Sequence, residues 1–226
     1  MDELTIRRAV RDAYGARAGS CCGPSDLFCG TPAPNQKLGV GDPVSLADLA
    51  AGEVVLDLGS GRGDDVLAAA ERVGPNGRAI GVDATPEMVF AARDLARSRG
   101  LGNAEFRLGE IEHLPVESES VDVIVSDCVV NLSPDKAQVI REAYRVLRPG
   151  GRIVLSDVVT DGELPEAVRK DPRAWAGCVA GAVSEAAYRS LLADAGFREI
   201  ETLGGRAWVQ GLRSTVLVAR KPSRPA

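Results

Sequence analysis

The stretch Val54-Val55-Leu56-Asp57-Leu58-Gly59-Ser60-Gly61-Arg62-Gly63, followed by Gly81-Val82-Asp83, decides the fold. An apolar run feeds a glycine-rich turn. A helix-like stretch follows, and a second apolar run ends in an acid. This is the pattern of one βαβ unit with a nucleotide-sized ligand site at the carboxyl edge of its strands. Glycine lets backbone approach a ligand closely because no Cβ intervenes. Asp83 stands about 20 residues past the last glycine, where an acid accepts hydrogen bonds from two ribose hydroxyls. Such charge-assisted bonds contribute roughly 1.5–3 kcal/mol each.

The flanking residues narrow the nucleotide. A dinucleotide fingerprint needs a third glycine at position 64, and Asp64 and Asp65 stand there instead. Two carboxylates at a helix start repel a pyrophosphate. No Gly-Lys-Ser/Thr follows the turn, so it is not a P-loop. Asp57 suits a ligand carrying a cationic amino group. The pattern D-x-G-x-G-x-G with a later ribose acid resembles the S-adenosylmethionine-dependent methyltransferases of class I. The plain alternative is a Rossmann-like turn without a ligand, which leaves the negatively flanked glycines and the well-spaced acid to coincidence.

Composition bounds the rest. The chain has 226 residues, 45% hydrophobic and 26% charged, ordinary values for a globular protein with one sizeable core. Its formal charge is −5 and no basic stripe interrupts it, which argues against a nucleic-acid partner. No apolar run approaches a membrane span and no signal-peptide pattern is visible, so no membrane partner and a cytoplasmic location are expected. The five cysteines then read as reduced thiols available for chemistry rather than as a disulfide framework. No internal repeat is evident.

Three regions are expected: an N-terminal helix and cysteine-bearing lid loop over 1–45, a methyltransferase domain over 46–220, and a disordered tail over 221–226. Leu4–Gly19 reads as a helix. Ser20–Pro43 reads as a Gly/Pro-rich loop carrying Cys21, Cys22 and Cys29. Strands are expected near 54–58, 79–83, 104–108, 121–126, 152–157, 197–203 and 213–219, and the continuous apolar character of most fits a parallel sheet covered on both faces. Thr85 and Ser133, each followed by proline, are expected N-caps for helices over Pro86–Arg99 and Pro134–Leu147. Residues 163–195 read as two or three short helices inserted on the substrate face. The fold class is therefore α/β, a Rossmann-like class I methyltransferase fold. The likeness to that family implies a seven-stranded, mostly parallel sheet with helices on both faces, an antiparallel final strand and a helical insertion after strand five.

Ligands of open α/β sheets sit at the carboxyl ends of the strands. After the third strand comes Gly109-Glu110-Ile111-Glu112, where an apolar residue beside an acid suits adenine. The fourth ends in Ser126-Asp127-Cys128-Val129-Val130-Asn131-Leu132, which sets a cysteine and polar groups beside the expected methyl donor. The insertion carries Trp175-Ala176-Gly177-Cys178-Val179-Ala180-Gly181-Ala182. Free cysteines are often small core hydrophobes, and each of these taken singly reads that way first. Their placement, one at the ligand edge and one among small residues in a lid, shifts the balance. The pair Cys21-Cys22 in a polar loop has little structural purpose. Zinc is a poor rival, because Cys21-Cys22 and Cys29 lack a C-x-x-C spacing. His113, the only histidine, reads as a loop residue rather than a base. Tyr14 is either a packing aromatic or part of a cover over the cofactor. Asp64 and Asp65 complement a helix dipole.

At this point the chain resembles the arsenite methyltransferases. The matching stretches include Tyr14-Gly15 with Cys21-Cys22, Leu56–Gly61, Gly81-Val82-Asp83 with Thr85–Met88, Gly109–Glu112, Ser126–Ser133, Tyr144–Gly151, Ser156-Asp157-Val158, and Cys178 with Gly181-Ala182. They run from about residue 14 to 200. The glycine turn and Arg-Val-Leu-Arg-Pro-Gly-Gly are shared by many small-molecule methyltransferases, whereas the Cys128 and Cys178 motifs are more specific. The resemblance implies S-adenosylmethionine as methyl donor and trivalent arsenic as substrate, with a thiol reductant such as glutathione or thioredoxin. It implies that Cys128 and Cys178, with Cys22 as the candidate third thiolate, bind arsenic. It implies that Tyr14, Asp57, Gly59, Ser60, Gly61, Asp83, Ala84, Ile111, Glu112 and Asp127 hold the cofactor.

Two departures stand out. The family often has a cysteine in a Leu-Gly-x-Gly stretch, and here Val40 occupies that place and cannot ligate. The family often has Asn before the strand-four cysteine, and here it is Asp127. Two further readings stay open: a class I methyltransferase acting on carbon or oxygen of a small metabolite such as a quinone precursor, and a non-catalytic metalloid-binding protein.

Overall fold

The computed structural model of the protein describes residues 1–18, 41–209 and 211–224. The expected cysteine loop, with Cys21, Cys22, Cys29 and Val40, lies outside them. Seven strands form one sheet: β1 (Val54–Leu58), β2 (Arg78–Asp83), β3 (Ala104–Leu108), β4 (Val121–Asp127), β5 (Leu147–Thr160), β6 (Arg198–Val209) and β7 (Leu212–Arg220). Their order is β3-β2-β1-β4-β5-β7-β6. β3 through β5 pair in parallel, and β7 runs antiparallel between β5 and β6. The direction of strand succession reverses between β1 and β4. The switch point of the sheet, where such folds bind ligands, therefore lies at the carboxyl ends of these two strands.

The period-two alternation of the strands divides the core. Leu56, Leu58, Ile80, Val82 and Ile124 face one layer, shared with Val139, Ile140 and Ala143 of α5 (Lys136–Val146) and Tyr188 and Leu192 of α8 (Glu185–Asp194). Val55, Ala79, Val123 and Val125 face the other, with Val66, Leu67 and Ala70 of α3 (Asp64–Val73) and Val89 and Ala92 of α4 (Pro86–Arg99). Burial on both faces is why these strands read as unbroken apolar runs. Three short helices complete the set: α2 (Pro43–Leu46), and α6 (Glu166–Arg169) and α7 (Pro172–Ala176) in the insertion. The first helix, α1 (Glu3–Ala18), packs against α4 and α7, across the carboxyl edge of the sheet.

Local chemistry sets the ends. α4 begins at Pro86 after Thr85 as expected, and ends at Gly100, whose φ of 68° is the left-handed stop. α5 differs from expectation. It starts at Lys136, and its cap is Asp135, whose carboxylate accepts from Gln138 N at 2.9 Å. Ser133 stands two residues earlier: its hydroxyl accepts from Asp135 N at 3.1 Å and donates to Glu112 at 2.6 Å. The expected boundary at 45/46 falls inside α2, whose Val44 packs in the main core beside the following Ala47. The expected disorder of the tail does not hold at Lys221. This buried side chain donates to Tyr144 O at 2.9 Å and Leu147 O at 2.8 Å. No helix among the described residues is long and apolar enough to cross a membrane.

Candidate active site

The glycine turn follows β1 directly. Gly59 N and Ser60 N both donate to Val82 O, at 2.8 and 3.0 Å, which folds the turn back onto β2. Gly59 has φ of 67°, and a Cβ there would stand 2.2 Å from Val129 Cγ2, so glycine is required twice over. Asp57 is buried at the end of β1. Asp83, the last residue of β2, accepts from Gly61 N at 2.9 Å and Thr85 N at 2.8 Å. Burial raises its carboxyl above the ordinary value, and these two backbone bonds pull it back. Ala84 follows it, half-buried.

A nucleoside carrying a cationic tail fits these residues. The turn leaves open space where a Cβ on Gly61 would sit. The buried hydroxyls of Ser60, just past β1, Ser126, near the end of β4, and Ser156, within β5, have no hydrogen-bond partner among the described residues. Ile111 is buried in the loop after β3 and packs with the layer of Leu56 and Val82. Tyr14 lies on α1, and its neighbour Gly15 abuts Thr85 and Glu87, which brings the end of α1 to the ribose side. Asp127, at the end of β4, accepts from Gly41 N at 3.2 Å. Glu112, where an adenine contact is expected, also has partners within the fold. Its carboxylate takes the Ser133 hydroxyl and pairs with Arg7 of α1 at 3.0 Å. Arg7 and Arg11 also bond Glu110, at 3.2 and 2.7 Å. The two acids after β3 thus clasp α1.

Cys128 and Cys178 meet although 50 positions separate them. The Cys178 thiol donates to Cys128 O at 2.8 Å. Both are free thiols, 7% and 4% exposed, in one small cluster with Val158, Val179 and Leu212. Both have left-handed backbone, with φ of 60° and 61°. A non-glycine residue held there costs on the order of 1–3 kcal/mol, and such strain gathers at functional sites. The turn at Cys128 is fixed by its N–H to Ser156 O at 2.7 Å. Its thiol is pushed well above the usual value, first by its hydrogen bond with Cys178, then by burial and the Asp157 and Asp127 carboxylates.

A polar layer, missed in the sequence reading, lies under the thiols. Asp157, at 2% exposure, accepts from Tyr188 OH at 2.7 Å, Val158 N at 2.9 Å and Asn131 N at 3.2 Å. Burial raises its carboxyl to about 6 against those donors. Burial also lowers the Lys136 ammonium to about 8. That group donates to Ser133 O at 2.9 Å and lies 5.5 Å from the centre of the Trp175 ring. Asp157 closes the strand expected over 152–157, but β5 runs on to Thr160, so its place in the sequence marked it only in part. Tyr188, inside a helix, carried none. His113 is exposed in a turn. Cys22 lies outside the described residues, so the described thiol set is a pair.

A family profile described as a methyltransferase domain matches residues 49–196. An arsenite methyltransferase of Halobacterium salinarum is 47% identical over 200 residues, 83% of this chain and 51% of that protein. Another, of Aquipseudomonas alcaligenes, is 43% identical over 152 residues, 64% of this chain and 44% of that protein. The chain spans about half the length of these relatives. The crystal structure of an arsenic(III) S-adenosylmethionine methyltransferase from Chlamydomonas reinhardtii superposes with a TM-score of 0.64 at 32% identity, covering all of this chain and 76% of that one. With this sheet, this switch point and these relatives, the chain belongs to the arsenite methyltransferase family of class I S-adenosylmethionine-dependent methyltransferases.

Proposed function

We propose that this chain transfers a methyl group from S-adenosylmethionine to trivalent arsenic (arsenite, or a thiol-bound or monosubstituted arsenical) held by Cys128 and Cys178, in arsenic detoxification or metabolism. The observation that carries the reading is the convergence of two strained, buried thiols at the end of β4. Arsenic(III) is soft and prefers sulfur. When arsenite binds, two As–S bonds replace two As–O bonds, and the thiol protons leave with the hydroxyls as two waters. Neutral thiols suffice for this exchange, which agrees with the raised Cys128 thiol.

The donor supplies a sulfonium methyl, and the arsenic lone pair forms the As–C bond as the C–S bond breaks. Asp83 would hold the ribose hydroxyls, Asp57 the cationic amino group, and the Gly59-Ser60-Gly61 backbone the body of the ligand. Ala84, Ile111, Tyr14 and Asp127 would line the remaining walls. Glu112 serves the site by holding α1 down. A third sulfur would come from Cys22 or a small thiol. The methylated arsenic is formally pentavalent, and a thiol reductant such as glutathione or thioredoxin would return it to the trivalent state with two electrons. Catalysis is then mostly positioning, which contributes several kcal/mol when reacting atoms are held in line.

Incubation with As(III), glutathione and S-adenosylmethionine, followed by arsenic speciation, tests the reading. Cys128→Ser and Cys178→Ser should each lower methylation by roughly 100-fold. Full activity in Cys128→Ser would remove arsenic from the site, and methylation of a carbon or oxygen acceptor that ignores Cys178→Ser would favour a small-metabolite enzyme. Arsenic adducts without methylated product would identify a metalloid-binding protein.

A further inference from the structure

Asn131 lies three residues past Cys128 in the 3₁₀ turn Val130–Leu132, with none of its surface exposed. All four of its polar groups are engaged, with distinct parts of the fold. Its N–H donates to Asp157 Oδ2 at 3.2 Å. Its Nδ2 donates to Val158 O at 2.6 Å and reaches Cys178 O at 3.4 Å. Its Oδ1 lies 2.9 Å from Tyr188 OH, whose single proton it shares with Asp157 Oδ2 at 2.7 Å, and its carbonyl accepts from Lys136 Nζ at 3.4 Å. Gly181 lies flush against the same residue, since a Cβ there would be 2.0 Å from Asn131 O.

We propose that Asn131 is a positioning residue that sets the spacing between the Cys128 and Cys178 thiols, a role that rests on the arsenic reading above. The segment carrying one thiol and the segment carrying the other share no strand pairing. Asn131 connects them: its backbone continues the Cys128 turn, and its amide holds the carbonyl of Cys178. Tyr188 and Asp157 fix that amide's orientation, because the tyrosine hydroxyl meets Asn131 Oδ1 on one side and the Asp157 carboxylate on the other. A buried amide is worse for stability than an apolar side chain unless its groups are paired, and the partners around Asn131 restrict its geometry. Two backbone turns held at positive φ need such a fixed support.

The test uses phenylarsine oxide, a trivalent arsenical that condenses with two thiols and loses its oxygen as water. The full chain carries Cys21→Ser, Cys22→Ser and Cys29→Ser, so that only Cys128 and Cys178 remain. Its affinity for the reagent is measured by competition with a small dithiol, alongside its affinity for S-adenosylmethionine. Asn131→Asp, which keeps the shape and loses the amide donor, should weaken the arsenical about tenfold and leave the S-adenosylmethionine affinity within about twofold. Tyr188→Phe, which removes only the hydroxyl, should act in the same direction and decides the matter if Asn131→Asp does not fold. Arsenical affinity within about twofold of the parent in a folded variant overturns the proposal. Equal loss of both affinities overturns it too, since a general structural role does that. A parent that binds the reagent no better than its Cys128→Ser derivative overturns the arsenic reading itself, and the positioning role with it.

Discussion

Cys128 and Cys178 share one backbone anomaly, a left-handed φ near 60°, and each thiol depends on it for its direction. The glycine turn uses the same region of conformational space without strain, because Gly59 has no Cβ. Gly59→Ala would press a methyl group into Val129, the residue next to Cys128. We expect it to destabilise the protein by about 1–3 kcal/mol and to raise the KM for S-adenosylmethionine, measured by denaturant unfolding and by initial rates. Some of the site was legible at this scale and some was not. Asp57, Asp83 and Cys128 end strands, and position alone marks them. Asn131 and Tyr188 act through contacts between elements far apart in the chain, which no local pattern records. Glu112 adds a tertiary tie that its place in the sequence does not show: Arg7, more than a hundred residues earlier, pairs with its Oε1.

Single elements hold the site together through a few ties. Helix α1 is joined to the loop after β3 by Arg7 and Arg11, and the Arg7–Glu112 pair is mostly out of water. Arg7→Ala would leave Glu112 buried without its cation. Unfolding should show a loss of roughly 2–4 kcal/mol, and adding Glu112→Gln should recover part of it, because the stranded charge is gone. Helix α8 is tied to the β6–β7 ribbon by Glu185, which accepts from Thr202 at 2.5 Å and Arg213 at 2.8 Å. Those bonds lower its carboxyl from 4.5 to about 2. A depressed acid stabilises the fold above its unfolded value and loses that effect as pH falls. The Tm gap between the wild type and Glu185→Gln should therefore be full at pH 7 and narrow from pH 5 downward, read by melting at a series of pH values. Helix ends were legible where a proline or glycine stood at the boundary, as at Pro86 and Gly100. Ser133 misled because Asp135, two residues on, is an equally good cap and takes Gln138 N, while the Ser133 hydroxyl accepts from Asp135 N itself.

Across the whole molecule, the alternation of apolar runs with helix-like stretches was enough to read the parallel half of the sheet. The β6–β7 half was harder. Its ribbon is longer than its apolar core, with register shifts between Thr202 and Gly204 and between Ala207 and Val209, so hydrophobicity alone understates the strands. Ligand linkage gives a prediction at this scale. S-adenosylmethionine at about 100 times its Kd should add roughly 2.7 kcal/mol of stability, visible as a higher Tm. As(III) should raise the Tm further only when Cys128 and Cys178 are both present.

The burial of the two sulfurs has a kinetic consequence. With only 7% and 4% of their residues exposed, an arsenical that bridges both is expected to wait for the packing around them, which includes Val179 and Ala182, to open. Capture of an arsenical in a stopped-flow mixer, followed by the fluorescence of Trp175 in a Trp208→Phe background, should speed up with concentration at first and then level off. The plateau would be the opening frequency of the cover, a property of the empty protein and the same for arsenicals of different size.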